Sequence, residues 1–151
     1  MLKQTLQDEL KQSMLARDEL RTSVLRLLLS AINYYEIQKG GAGYEASEDD
    51  VLSVIQKEIK QRNDSIEQYR NGGRQELADK EVKEKEILVG YLPEQMTEPQ
   101  IKELVQSAIS QTGASSIQDM GKIMGFLSPK IKGKADGSVV SKLVRESLGT
   151  S

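Results

Sequence analysis

Apolar residues recur along almost the whole chain at intervals of three and four. In the clearest segment, Leu20, Val24, Leu27, Leu28, Ala31, Ile32 and Tyr35 follow the spacing of one buried helical face. The strict alternation that would mark a half-buried strand is absent. A chain of 151 residues patterned in this way is restricted to helix-on-helix packing. Leu2, Leu6, Leu10 and Met14 predict a preceding helix with a narrow apolar stripe. A third helix, capped at Ser47 with Glu48, Asp49 and Asp50 in its first turn, turns Val51, Ile55, Ile59, Ile66 and Tyr69 inward. A fourth is expected from about Gln75 to Leu92. Its middle, Asp79 to Glu86, is mostly charged and reads as a solvated face, with Lys80/Glu84 and Glu81/Lys85 at helical neighbour spacing.

Pro93 breaks this series, and charge changes with it. Residues 1–92 hold 14 bases and 17 acids, a net of -3, whereas 93–151 hold 7 bases and 6 acids, a net of +1. We place a domain boundary there, with a helical bundle over 1–92 and a three-helix tail over 93–151. Thr97 to Gln100 reads as a capping box with an early proline. Ile101, Leu104, Val105, Ala108 and Ile109 follow as a buried face, ended by Gly113. Ser116 to Asp119 starts a second tail helix carrying Ile117, Met120, Ile123, Met124 and Leu127, which Pro129 is expected to stop. Asp136-Gly137-Ser138 starts the last, with Val139, Val140, Leu143, Val144 and Leu148. The expected fold is all-α, an antiparallel four-helix bundle followed by the tail.

Composition narrows function. The chain has no cysteine and no histidine. Disulfides, thiolate nucleophiles, Ser-His-Asp triads and the usual zinc sites are therefore excluded. No cofactor or metal is called for, and an enzymatic role is disfavoured. No apolar run approaches a membrane span. The N-terminal Met1-Leu-Lys-Gln-Thr alternates polar and apolar residues, unlike a secretory leader. On these grounds we expect a cytoplasmic protein.

The bases are concentrated. From Met120 to Arg145 the chain carries Lys122, Lys130, Lys132, Lys134, Lys142 and Arg145 against one acid, Asp136, so six minus one gives +5 in a protein of net charge -2. Such a patch attracts polyanions, chiefly nucleic-acid phosphate. In an extended loop, Lys130, Lys132 and Lys134 would fan along one side, with Gly133 permitting close backbone approach and the following helix N-terminus adding free N–H donors. The plain alternative is three solvated lysines, and the scarcity of acids favours the polyanion. The tail offers one aromatic, Phe126, so phosphate and shape contacts with a structured RNA are expected rather than base stacking. Neutralising about four phosphates implies an affinity loss of some tens of fold between about 50 and 200 mM salt.

Other features have plainer readings. The glycine runs at Gly40 to Gly43 and Gly72-Gly73 are turns, since no strand precedes them and no Lys-Ser/Thr follows. Gly121 and Gly125 lie one helical turn apart, where close helix packing is the ordinary explanation and backbone approach to a ligand the sharper one. Arg26, between Leu25 and Leu27, is expected to pair structurally with a carboxylate such as Glu58.

Met120-Gly-Lys-Ile-Met-Gly, Pro129-Lys-Ile-Lys-Gly-Lys-Ala-Asp-Gly-Ser138 and Leu143-Val-Arg-Glu146 resemble the C-terminal tail of the B subunit of the tRNA-dependent amidotransferase (GatB). The stand-alone proteins with that tail form the YqeY family, which Ile55-Gln-Lys-Glu-Ile-Lys-Gln-Arg-Asn-Asp-Ser-Ile66 and Tyr91-Leu-Pro-Glu-Gln-Met96 also resemble. The resemblance implies a mobile helical module that contacts tRNA, and it carries over Lys122, Lys130, Lys132, Lys134, Lys142 and Arg145 as RNA-binding residues. It also implies a glutamine-dependent carbon–nitrogen ligase association, but the catalytic cradle has no counterpart in this chain. The expected role is thus a non-catalytic tRNA-binding accessory protein of aminoacyl-tRNA metabolism. The alternatives are a protein-interaction module docking on an aminoacyl-tRNA synthetase or the ribosome, and an amidotransferase component.

Overall fold

A computed structural model describes residues 1–149, and among them every regular element is helical. Seven α-helices follow in order: α1 (Leu2–Leu15), α2 (Glu19–Gly40), α3 (Glu48–Asn71), α4 (Gln75–Val89), α5 (Glu98–Thr112), α6 (Met120–Ile131) and α7 (Gly137–Gly149). Short 3-10 turns precede Tyr44 and Met120. The chain divides into two compact units, Met1–Leu92 and Pro93–Ser151.

In the first unit, α1 packs on α2 and α3, and α4 packs chiefly on α3. Leu6, Leu25, Leu28, Ile32 and Ile55 are completely or almost completely buried where these helices meet. Each such side chain contributes roughly 1.5–3 kcal/mol relative to exposure. The turn between α1 and α2 has no glycine. Arg17 adopts the left-handed conformation (φ 56) so that Asp18 N–H can reach the Ser13 carbonyl (3.0 Å) and Arg17 N–H the Met14 carbonyl (3.2 Å). That pairing closes the helix end, and Asp18 then caps α2 by accepting from Arg21 N–H at 3.0 Å.

Two carboxylates pin the segment between α2 and α3. Glu36, buried, accepts from Lys3 Nζ (2.6 Å) and Ala46 N–H (2.7 Å). Asp50 accepts from the Tyr35 hydroxyl (2.8 Å), the Tyr44 hydroxyl (2.6 Å) and Ser47 N–H (3.0 Å). With Ser47 it completes a capping box. These bonds hold Asp50 well below the usual carboxylate range, that from Tyr44 foremost.

The second unit has its own core, with Ile123, Leu127, Val140 and Val144 at its centre against Val105 and Ala108. The Thr97–Gln100 capping box forms as its sequence requires, and Gly113 ends α5 at φ 70.

Several expectations need correction. Helix α4 ends at Val89, three residues before Leu92. Leu27 is 55% exposed rather than buried. Arg26 is exposed, and its guanidinium meets the Met14 sulfur (3.8 Å), not Glu58. The buried guanidinium is instead Arg62, whose Nη1 donates to Glu84 and to Glu81 (3.1 Å). Glu84 therefore lies under the surface, within the stretch of α4 expected to be solvated.

Candidate nucleic-acid interface

Helix α6 does not stop at Pro129. It contains that proline and runs on to Ile131. Proline lacks the N–H that would bond the carbonyl four residues back, and that carbonyl belongs to Gly125, an exposed position. Lys130 therefore lies on the last helical turn, not in a loop. Its ammonium sits over the Phe126 ring, 4.1 Å from the centroid, a cation–π contact that orients the side chain.

The link to α7 is a tight turn rather than an extended strand of lysines. Lys132 has φ -58 and ψ 122, Gly133 has φ 74, and Lys134 N–H donates to the Ile131 carbonyl at 2.8 Å. These values describe a type II turn, which requires a positive φ at its third residue and so selects glycine. Gly133 is buried. Its carbonyl accepts from Gln95 Nε2 at 2.7 Å, and the Lys134 carbonyl accepts from Met96 N–H at 2.8 Å. Gly133 thus serves the turn and does not offer its backbone for close approach. The expected fan of three lysines is replaced by Lys130 on the helix and Lys132 and Lys134 on the turn, all exposed.

The start of α7 is also occupied. Asp136 accepts from Ser138 N–H (2.9 Å) and the Ser138 hydroxyl (2.8 Å). Its carboxylate supplies locally the negative charge that an external anion was expected to bring.

Of the predicted residues, Lys130 and Lys134 line one groove of about 460 Å³, with Glu94, Gln95, Met96, Gln100 and Leu104 as its other walls. Lys122 is exposed two helical turns before Lys130, and its charge adds to the backbone N–H groups of Ser115 and Ser116 in holding the Asp119 carboxyl below its ordinary range. Lys142 and Arg145 are exposed on α7, while Val140, Leu143 and Val144 on the same helix are buried. Lys122, Lys132, Lys142 and Arg145 are not among the residues that line this groove. Gly121 and Gly125 are not explained by close helix packing, since a Cβ added at either would meet nothing within 4 Å beyond its chain neighbours and its own helix backbone.

Sequence reasoning missed the residues that hold this site. Gln95 and Met96 shape the basic turn, and their position in Tyr91-Leu-Pro-Glu-Gln-Met96 was the available signal. It also missed a polar cluster in the first unit. There the Tyr91 hydroxyl donates to Glu9 and accepts from Arg21 Nη2 (3.1 Å), beside a cleft of about 550 Å³. Burial, then the bond to Glu9, pushes the Tyr91 hydroxyl up to about 12. Among the described residues no three carboxylates gather as a metal site, and no helix is long and apolar enough to cross a membrane.

The geometry defines an all-helical protein whose last two helices are joined by a tightly held basic turn. A family model described as "Yqey-like protein" matches residues 3–148, and the chain belongs to the YqeY family. Three curated relatives share the name "Altered inheritance of mitochondria protein 41, mitochondrial". That of Pyrenophora tritici-repentis is 34% identical over 148 residues, covering 95% of this chain and 79% of that protein. That of Saccharomyces cerevisiae (strain YJM789) is 31% identical over 131 residues, covering 83% and 69%. For Vanderwaltozyma polyspora the values are 37% over 87 residues, 58% of this chain and 46% of that protein. These relatives are named as mitochondrial proteins, which overturns the expectation of a cytoplasmic one. That expectation tested only for an uninterrupted apolar leader, whereas mitochondrial import reads an amphipathic, arginine-rich segment.

Proposed function

We propose that this protein is a non-catalytic tRNA-binding accessory factor of aminoacyl-tRNA metabolism. In this reading α1–α4 form an antiparallel four-helix bundle that serves as a body, and α5–α7 form the tail that touches RNA. The observation that carries it is the pairing of Lys130 and Lys134 on one groove, beside a turn held by Gln95 and Met96. A preformed turn presents its charges without a main-chain ordering cost on binding. Lys122, Lys142 and Arg145, exposed on α6 and α7, extend the positive surface for phosphates further along a folded RNA. Glu94 on the groove wall opposes this attraction and sets the charge balance of the groove. The role suits any compartment that translates, mitochondria included. The resemblance to the amidotransferase tail adds a partner, either the amidotransferase itself or an aminoacyl-tRNA synthetase.

The test is binding to folded tRNA, wild type against Lys130→Glu/Lys132→Glu/Lys134→Glu. Lost binding with helicity preserved supports the reading. Equal affinity in the two proteins removes the basic turn from the interface.

A further inference from the structure

The outward face of α2 has the composition of an interface. Between Thr22 and Gln38 the chain carries two charges, Arg26 and Glu36, and Glu36 is buried against Lys3. A single charge, that of Arg26, is therefore left exposed along more than four helical turns, in a protein of which 29% is charged. The same face holds Leu27, Tyr34 and Ile37 at 55, 62 and 66% exposure. Depletion of Lys, Glu and Asp beside exposed Tyr and Arg is part of the compositional signature of a buried interface core.

Position adds to composition. Ser23, Leu27, Ser30, Tyr34 and Ile37 follow one another at intervals of four, three, four and three, the seam spacing of paired helices. This seam is distinct from the one buried in the first unit, where Val24, Leu25, Leu28 and Ile32 lie. Tyr34 is held on the surface by Gln38, whose Nε2 donates to the Tyr34 hydroxyl at 2.8 Å. Arg26 meets the Met14 sulfur at the end of α1 and has no carboxylate partner among the described residues.

We infer that this face pairs with the same face of a second copy, α2 running antiparallel to α2 about a two-fold axis at Ser30. A closed two-fold contact must be self-complementary, and this seam is. Antiparallel pairing centred on Ser30 sets small against small at the axis. It sets Leu27 beside Tyr34 of the second copy, and Ser23 against Ile37 of the second copy. Arg26 then faces the ring of Tyr34 of the second copy, which supplies the electronegative surface that its own chain does not. The two Arg26 side chains lie eight residues apart along the pair, roughly 12 Å, so the one charge per copy is not set against itself. The acids that give the protein its net charge of -2 are absent from the exposed seam, which removes the repulsion that otherwise opposes self-pairing.

Sedimentation velocity at rising protein concentration tests this. The wild type should shift reversibly from monomer to dimer, and Leu27→Glu/Tyr34→Glu should remain monomeric with unchanged helicity, since both positions face solvent. Because the chain has no cysteine, register is readable as well. Ser30→Cys should cross-link to its twin under mild oxidation, and Ser23→Cys should not. A wild type that stays monomeric at every concentration overturns the inference, as does a dimer that survives the double glutamate variant. Equal cross-linking of the two cysteine variants overturns it too. A monomer that instead retains a foreign helical protein through Leu27 and Tyr34 assigns the face to that protein and ends the case for self-pairing.

Discussion

Gln95 donates its side-chain amide to the carbonyl of Gly133 at 2.7 Å, tying the segment after Pro93 to the turn between α6 and α7. A second bond, from the same amide to the Pro93 carbonyl (2.8 Å), fixes the side chain at its base. The basic turn is thereby held from a point 38 residues earlier in the chain.

Removing that tie should be measurable. Gln95→Ala should cost about 1 kcal/mol, the net worth of an ordinary hydrogen bond. Gly133→Ala should cost more, about 1–2 kcal/mol, because φ 74 is strained for any residue with a Cβ. Urea unfolding followed by circular dichroism gives both values, and a Gly133→Ala protein as stable as the wild type would remove the turn assignment.

Arg62 sits with Glu84 where neither is well hydrated, their side chains 9 and 10% exposed. Arg62→Ala should cost about 3–5 kcal/mol, because it leaves Glu84 buried without its counter-charge. Arg62→Met combined with Glu84→Leu should recover most of that loss. If the double variant is no more stable than the single one, an unpaired Glu84 is not the source of the loss.

Acid should loosen the segment between α2 and α3. The bond from Lys3, then the Ala46 N–H, holds the Glu36 carboxyl below its ordinary value, and Asp50 is lowered more strongly. Groups lowered in the folded state stabilise it above their unfolded pKa values, about 4, and lose that contribution as pH falls through the folded ones. Stability should therefore decline below about pH 4, and Tyr44→Phe should raise the Asp50 pKa when followed by carboxyl chemical shifts. An Asp50 titration unmoved by Tyr44→Phe would show that the hydroxyl is not its partner in solution.

Salt separates the two halves of the proposed RNA surface. Lys130→Glu/Lys134→Glu should lower the slope of log affinity against log salt by about two, one for each phosphate no longer neutralised. If Lys142 and Arg145 serve the same surface, their double glutamate variant should lower it by a similar amount. A slope unchanged in the first variant would leave the groove outside the RNA interface.

The helices were legible because their signals are local. Ser47, Thr97 and Gly113 act through neighbours three or four residues away, and each plays the role its sequence context sets. The turn at Arg17 was silent, since no glycine marks it. Arg62 gave a signal that could have been taken: it falls on the inward stripe of α3 between Ile59 and Ile66, so a charge there called for a buried partner. That the partners would be Glu81 and Glu84 depends on how α4 lies along α3, which periodicity does not encode. The basic segment was legible as charge but not as shape. Whether Lys130 to Lys134 extends or turns is decided by Gly133, Gln95 and Met96 together, and two of those residues lie more than thirty positions away.

The type II turn also separates shape from sign. Its course is set by one glycine and by bonds to main-chain atoms, none of which involves a lysine ammonium. Lys130 and Lys134 can thus be exchanged for neutral residues while the main chain beneath them keeps its path. Attraction for a polyanion is free to strengthen or fade among such proteins without refolding anything, much as a handle can be regripped without rebuilding the tool.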